Sequence, residues 1–349
     1  TLVMLERALG CFYGQCVGDA LGSRYEFKTA AETIEKLRQD ADYTGHVPML
    51  GGGPFNFGAG VVTDDSEMAL SLLGSLATSH AFDAAHVACS YARWCRTKPP
   101  DIGQTCLKAF SVQEQNEKLS SPKWSSLLST DGRLSVLSEI HSRVRSLNAA
   151  SCSNGALMRQ SVLASFFAKD TQPDRLLAAV AADTSLTHVD ADAAAFSSAY
   201  ALGLFLAIRG QRSPREIVDE CIQHSSSEQV RGILAASRFA PAPVRLSNGQ
   251  ITSGDAHAIG YAGVSVQSAF HSLQHARSFE CGVIGAIARG GDTDTNAAIT
   301  GALLGAHFGV HAIPNGWLKA VKTAKIRLRG ENGIESMEQM ENVIRRQYQ

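Results

Sequence analysis

Thr63-Asp64-Asp65 and Gly290-Gly291-Asp292-Thr293-Asp294-Thr295 lie far apart in the chain, and each sets carboxyl and hydroxyl groups beside the expected start of a helix. Folded against each other, they would make an all-oxygen cage for a hard divalent cation. The two glycines let the backbone approach whatever sits there. Aspartate and threonine are also favoured helix N-caps, and Asp64-x-x-Glu67 fits a capping box, so either segment alone reads as a cap. Together they carry more acid than capping requires. A cap uses one side chain, whereas Thr63, Asp64, Asp65, Ser66 and Glu67 crowd the first segment, and Asp292, Thr293, Asp294 and Thr295 the second. Adjacent carboxylates repel, and a cation relieves that repulsion. The positive end of a helix dipole opposes a metal, so several anionic ligands are needed.

The elements that must hold these groups are helical. Leu5, Leu9, Phe12 and Cys16 recur with helical spacing, as do Met68, Leu72 and Leu76, and Ile299, Leu303 and Ala306. Further helical stretches are expected near 83–97, 156–168, 173–184, 190–209, 214–223, 263–275, 279–288 and 325–346, broken at prolines including Pro99, Pro173, Pro214 and Pro314. Alternating strand patterns are nearly absent. The expectation is an all-α fold, one domain over residues 1–349. Residues 41–62, rich in glycine, read as a functional or mobile loop leading into Thr63. Residues 111–150 are serine-rich and read as a surface insertion with some helix around Leu134–Leu147.

Glycine spacing adds a prediction about packing. Gly10, Gly14, Gly18 and Gly22 recur every four residues, as do Gly301, Gly305 and Gly309. Each glycine inside a helix costs about 1 kcal/mol relative to alanine, so close backbone packing of these two helices must offset it. That packing would bring Asp19 towards Asp292.

Composition excludes several classes. The chain has 349 residues, 44% hydrophobic and 19% charged, with a net charge of −1, which gives no field for gripping a nucleic-acid backbone. No apolar run reaches the roughly 20 residues of a bilayer span, and no leader pattern stands at the N-terminus, so no membrane partner is expected. Eight cysteines without a framework spacing or CxxC pair point to reduced, mostly buried thiols and a cytoplasmic or nuclear location. Walker A, GxGxxG and GxSxG motifs are missing, and the pairs His271/His275 and His307/His311 lack the glutamate of HExxH.

In order, Gly18-Asp19-Ala20-Leu21-Gly22, Glu26, Thr63-Asp64-Asp65, Asn154-Gly155, Thr187-His188, Gly260-Tyr261 and Gly290 to Thr295 resemble the ADP-ribosylglycohydrolases, which include the dinitrogenase-reductase-activating glycohydrolases. The resemblance spans nearly the whole chain and is weakest over about 101–150 and 225–255. It implies a compact orthogonal bundle of helices around a central cleft with two Mg2+ (Mn2+ possible), cleaving ADP-ribose from a modified side chain. The metal ligands it implies are Thr63, Asp64, Asp65, Asp292, Asp294 and Thr295. The mobile acid of the family maps onto Glu26, and the pyrophosphate loop onto Ser151-Cys152-Ser153-Asn154-Gly155, where Cys152 and Ser153 depart from the family's frequent aromatic and glycine. His188 matches a substrate contact and Tyr261 a position near the adenosine. Asp19 and Gly291 complete the substrate-binding set. After His188 the chain has Val189-Asp190-Ala191 in place of the frequent x-Asp-Pro.

Hydrolysis at the distal ribose requires a stabilised oxocarbenium-like centre and a water on the correct face. Two metals about 3.5–4 Å apart can orient the sugar hydroxyls, while Asp65 or Glu26 orients or deprotonates the water; spacing does not choose between them. The leading substrate is mono-ADP-ribosyl-arginine on protein, because the stretch Gly60–Met68, which ends in Ser66-Glu67-Met68, looks closer to the arginine-directed branch. Serine-linked ADP-ribose, O-acetyl-ADP-ribose and an ADP-ribosylated small molecule or base are the rivals. A non-catalytic ADP-ribose-binding or structural member and a two-metal pyrophosphohydrolase are the other classes. Expected partners are an ADP-ribosylated protein and the ADP-ribose product, with the chain a monomer.

Overall fold

The computed structural model describes residues 2–112, 129–326 and 336–349. Sixteen α-helices lie among them. The first five are α1 (Leu2–Gly22), α2 (Ala30–Asp40), α3 (Asp64–Ser79), α4 (Ala84–Arg96) and α5 (Gln104–Phe110). There follow α6 (Thr130–Leu147), α7 (Ser161–Phe167), α8 (Asp174–Thr184), α9 (Ala191–Arg209), α10 (Pro214–His224) and α11 (Glu228–Ala236). The last are α12 (Ala262–His275), α13 (Phe279–Ile287), α14 (Thr293–Phe308), α15 (Asn315–Thr323) and α16 (Met337–Gln347). The only strands among the described residues are β1 (Val244–Arg245) and β2 (Ile251–Thr252), paired antiparallel. The all-α expectation holds.

The glycine stripes do what their cost requires. Helices α1 and α14 run antiparallel in backbone contact. A Cβ on Gly10 would lie 2.2 Å from the Gly305 carbonyl oxygen, one on Gly14 2.1 Å from that of Gly301, and one on Gly18 2.0 Å from that of Ala297. Gly22 meets Thr293, whose Oγ1 donates to the Gly22 carbonyl at 2.8 Å, so the end of α1 abuts the start of α14. Around this pair pack α7, α9, α12 and α13, with Tyr200 of α9 donating to the Ile299 carbonyl at 2.9 Å. Helix α9 has the length and apolarity of a bilayer span, which qualifies the expectation that no run is long enough, but 67% of its apolar window is buried in this core.

Several boundaries differ from expectation. Helices α2, α5, α11 and α15 arise where no helix was anticipated. Helix α2 is short and is started by a capping box between Thr29 and Glu32; such local hydrogen bonds replace a long apolar stripe as the signal. The stretch 325–346 is helical only from Met337 among its described residues. The helix expected around Leu134–Leu147 is present as α6, while residues 113–128 of the serine-rich stretch fall outside the described residues. Within 41–62 the chain has no helix. It is pinned by Gly52 and Phe57, which exchange backbone hydrogen bonds of 2.7 and 3.0 Å, and by the Trp317 indole, which donates to the Val47 carbonyl at 2.8 Å. All eight cysteines are free, and only Cys152 and Cys281 are not buried.

Candidate metal centre and cleft

Helix α3 is capped by Thr63, not Asp64. The Thr63 hydroxyl accepts from the Asp65 amide at 3.4 Å, so the hydroxyl of the TDD segment is the cap and the two carboxylates are left for other work. Glu67 closes no capping box: it is buried and accepts the Trp94 indole N–H at 3.0 Å. Asp19, fully buried on α1, accepts the amides of Thr63 and Ser66 at 3.1 Å. It caps α3 from a neighbouring helix and lies beneath the cleft; the sequence set it among substrate contacts, but its oxygens are taken by backbone. Burial pushes its pKa up to about 6 despite these donors.

At the other end of the site, Asp292 occupies the N-cap of α14 without making a capping hydrogen bond. Its Oδ2 accepts the Asn154 side-chain amide at 2.8 Å instead. Gly290 and Gly291 both have φ of +73°, and a Cβ on either would strike backbone, Lys28 O at 2.5 Å and Gly254 O at 2.0 Å respectively. Gly291 therefore serves close approach: its carbonyl accepts from Phe27 N at 2.8 Å and its amide donates to Lys28 O at 2.7 Å. This clasp sets Glu26 beside the aspartates. Arg24 holds the preceding turn through a forked pair with Asp40, at 2.7 and 2.9 Å, and a bond to Gly51 O at 2.7 Å.

The two acidic segments meet. Asp65 Oδ2 accepts from the hydroxyls of Thr63 at 3.0 Å and Thr295 at 3.3 Å, so one carboxylate bridges α3 and α14. Glu26, Asp292 and Asp294 each offer an oxygen, all within 4.8 Å of one another. Asp64, Glu26, Asp292, Asp294 and Thr295 line one cavity of about 480 Å³, together with Ser153, Asn154 and Gly155. Asp101 lines it too, and its Oδ2 accepts from Asp64 N at 3.2 Å; sequence reasoning missed it, the one signal being an acid in the break after Pro99-Pro100. Among the described residues, no lysine, arginine or histidine lines this cavity.

Burial and mutual repulsion raise the carboxyl pKa values: Asp64, Asp65 and Asp294 well above the usual range, and Glu26 to about 8, through burial first and then Asp292, Asp101 and Asp19. The residues fit divalent cations on two further grounds. Asp65 Oδ1 and Glu26 Oε2 are buried with no hydrogen-bond partner among the described residues, and the donor set is all oxygen, which suits magnesium or manganese over zinc.

The sign of the pH effect follows. Folded pKa values above the unfolded ones favour the protonated fold, so chelated protein keeps this contribution below about pH 4 and loses it as pH rises through the raised values, near 8 for Glu26. The melting temperature in EDTA should fall from pH 5 to pH 8.5, and magnesium should raise it far more at pH 8.5 than at pH 5, as calorimetry would show. Equal magnesium shifts at both values would count against a carboxylate metal site.

The loop 151–155 and Tyr261 come together. Ser153 pairs with Tyr261 as an isolated antiparallel bridge, Asn154 N donates to Gly260 O at 2.8 Å, and Ala262 N to Cys152 O at 3.0 Å. Ser151, Cys152 and Tyr261 are half-buried and do not line the cavity. His188 lies behind the loop, buried, with Nε2 2.9 Å from Ser153 Oγ and Nδ1 2.8 Å from Thr187 Oγ1. Its position assigns it to supporting Ser153, in place of the direct contact expected. Burial and the nearby Arg159 guanidinium lower its pKa to about 3, so it is neutral. Arg159, itself in a buried ion pair with Asp183 at 2.7 Å, donates to Gly155 O at 3.0 Å and fixes the loop's far end.

Comparison with known proteins agrees with this geometry. The family model described as ADP-ribosylglycohydrolase matches residues 2–347. The chain is similar to the ADP-ribosyl-[dinitrogen reductase] glycohydrolase of Rhodospirillum rubrum, 29% identical over 90% of this chain and 89% of that protein. It is similar to the ADP-ribosylarginine hydrolase Tri1 of Pseudomonas putida, 24% identical over 91% and 74%, and to human ADP-ribosylhydrolase ARH3, 25% identical over 90% and 88%. A solved ADP-ribosylglycohydrolase-related protein complex superposes with a TM-score of 0.68 at 25% identity, over 100% of this chain and 99% of the other.

Proposed function

Because the chain belongs to the ADP-ribosylglycohydrolase family, a family of enzymes, we propose that it removes mono-ADP-ribose from arginine side chains of protein, with divalent cations held by the two acidic segments. The observation that carries this is the cavity's charge. Among the described residues, five carboxylates, those of Glu26, Asp64, Asp101, Asp292 and Asp294, line it and no base does. Two divalent cations would leave an environment still hospitable to a positively charged leaving group and unsuited to a naked anion. The relative named for ADP-ribosylarginine hydrolysis supports the same linkage.

Thr63, Asp64, Asp65, Asp292, Asp294, Thr295 and Glu26 are the groups that would hold the cations. When bound, these ions compensate the clustered carboxylates and orient the sugar hydroxyls. Ser153, Asn154 and Gly155 line the same cavity and carry no charge, so this stretch of its wall suits the pyrophosphate, which the carboxylates would repel. Glu26, on the cavity beside Asp292 and Asp294, is placed to take a proton from the attacking water. In the reaction the bond from the anomeric carbon to the guanidine nitrogen breaks, the oxygen of water takes its place, and the proton finishes on the departing guanidine. Asp101, beside Asp64, is placed to receive the resulting cation.

Peptides carrying ADP-ribose on arginine, serine or cysteine, incubated with magnesium and followed by mass spectrometry, test this. Intact ADP-ribose released chiefly from the arginine peptide is expected. AMP as product would replace the reading with pyrophosphate cleavage, and release from serine alone would overturn the linkage.

A further inference from the structure

We propose that Phe27 and Phe55 form an aromatic rim on the cavity that receives the planar, cationic guanidinium of the modified side chain and so sets linkage specificity. This rests on the arginine reading and adds the residues that would enforce it. Phe27 has a φ of +62°, a left-handed conformation that is a real outlier for a bulky side chain. Burial does not repay the strain, since the side chain is 58% exposed. It is imposed from outside, by the bonds from Phe27 N to Gly291 O at 2.8 Å and from Gly291 N to Lys28 O at 2.7 Å. The result is an aromatic ring held on the lining of an acidic cavity, one residue from Glu26, where core packing has no use for it.

Phe55 reaches the same cavity from the 41–62 loop. It is half-buried, its ring 5.8 Å from that of Phe57 and tilted by 33°, and the loop beneath is fixed by the Gly52–Phe57 pair and by Arg24 donating to Gly51 O. Two presented aromatics, one directly after Glu26 and one from the loop that leads into Thr63, stand beside carboxylates, with no competing base in the lining among the described residues. A guanidinium offers a flat face for the rings, an in-plane fork for a carboxylate and a positive charge; a serine oxygen offers none of these. Adenine would also stack, but the loop that suits the pyrophosphate leaves the ring end nearest Glu26 to the leaving group.

Phe27→Ala and Phe55→Ala should each lower kcat/KM on arginine-linked peptide by about tenfold, mostly through KM, with a loss on serine-linked peptide at least fivefold smaller. Phe27→Trp should restore the arginine activity. Affinity for free ADP-ribose, by titration calorimetry with magnesium, should stay within twofold of wild type. Phe27→Gly, free of the backbone strain, should melt no lower than wild type while losing the same selectivity. Equal losses on both linkages, or a parallel fall in ADP-ribose affinity, would overturn the rim. Binding of agmatine to the magnesium and ADP-ribose complex separates the two layers. Arginine turnover without Phe27-dependent agmatine binding sinks the rim alone, and agmatine binding without arginine turnover sinks the linkage reading alone.

Discussion

Asp292→Ala and Asp64→Ala are each expected to lower kcat/KM by about 10³-fold or more, at or beyond the upper end of what losing a single oriented electrostatic group costs. The effect belongs to chemistry and not to folding. Asp292 stands at an N-cap yet caps nothing, and its loss leaves the Asn154 amide with Ser265 at 3.1 Å as its remaining partner. Asp64 likewise surrenders only the amide of Gly103, at 3.2 Å. In chelated protein each substitution removes one of several mutually repelling acids, Asp64 buried and Asp292 half-buried, so the melting temperature at pH 8 should rise above wild type. Added magnesium, which should stabilise wild type, should do little for either variant. Activity assays, circular dichroism melts and magnesium titration together check this. Near-normal turnover in both variants would falsify the metal assignment.

What the sequence disclosed and what it hid follow from how each group is specified. Excess acid in Thr63–Glu67 and Asp292–Thr295 was visible because capping needs one side chain, and the surplus required another reason. The antiparallel approach of α1 and α14 was visible because seven glycines at a spacing of four have a cost that only contact offsets. Which group did what was hidden. Thr63 caps α3 where Asp64 looked equally suited, because Asp19 on another helix takes the amides of Thr63 and Ser66, and that depends on how two helices dock. Asp101, Phe27 and Phe55 come from irregular segments with no period, and they converge only through tertiary contacts such as the Gly291 clasp. Family resemblance marked His188 as a substrate contact, whereas its burial behind Ser153 is a property of packing depth, which no motif encodes.

Substituting the glycine stripe should be the most damaging change to stability. In Gly14→Ala and Gly18→Ala the new methyl group would lie 2.1 and 2.0 Å from the carbonyl oxygens of Gly301 and Ala297, and backbone cannot rotate aside as a side chain can. Helix propensity favours each alanine by about 1 kcal/mol, so any net loss must come from prying α1 and α14 apart. We expect destabilisation of about 4–5 kcal/mol or more, the range reserved for strong core overpacking, seen as a large drop in urea midpoint or insoluble expression. Gly285→Ala is the control: it also lies inside a helix, α13, but nothing stands within 4 Å of its added Cβ, and it should stabilise by up to about 1 kcal/mol. Gly14→Ala melting within a few degrees of wild type would remove the packing argument. Gly22→Ala then links packing to function. Its methyl would meet Thr293 O at 2.4 Å and Asp294 Cα at 2.6 Å, at the very turn that carries the acidic ligands. Any folded fraction of that variant should bind magnesium more weakly than Gly14→Ala of equal stability, because the displacement falls on the metal ligands themselves.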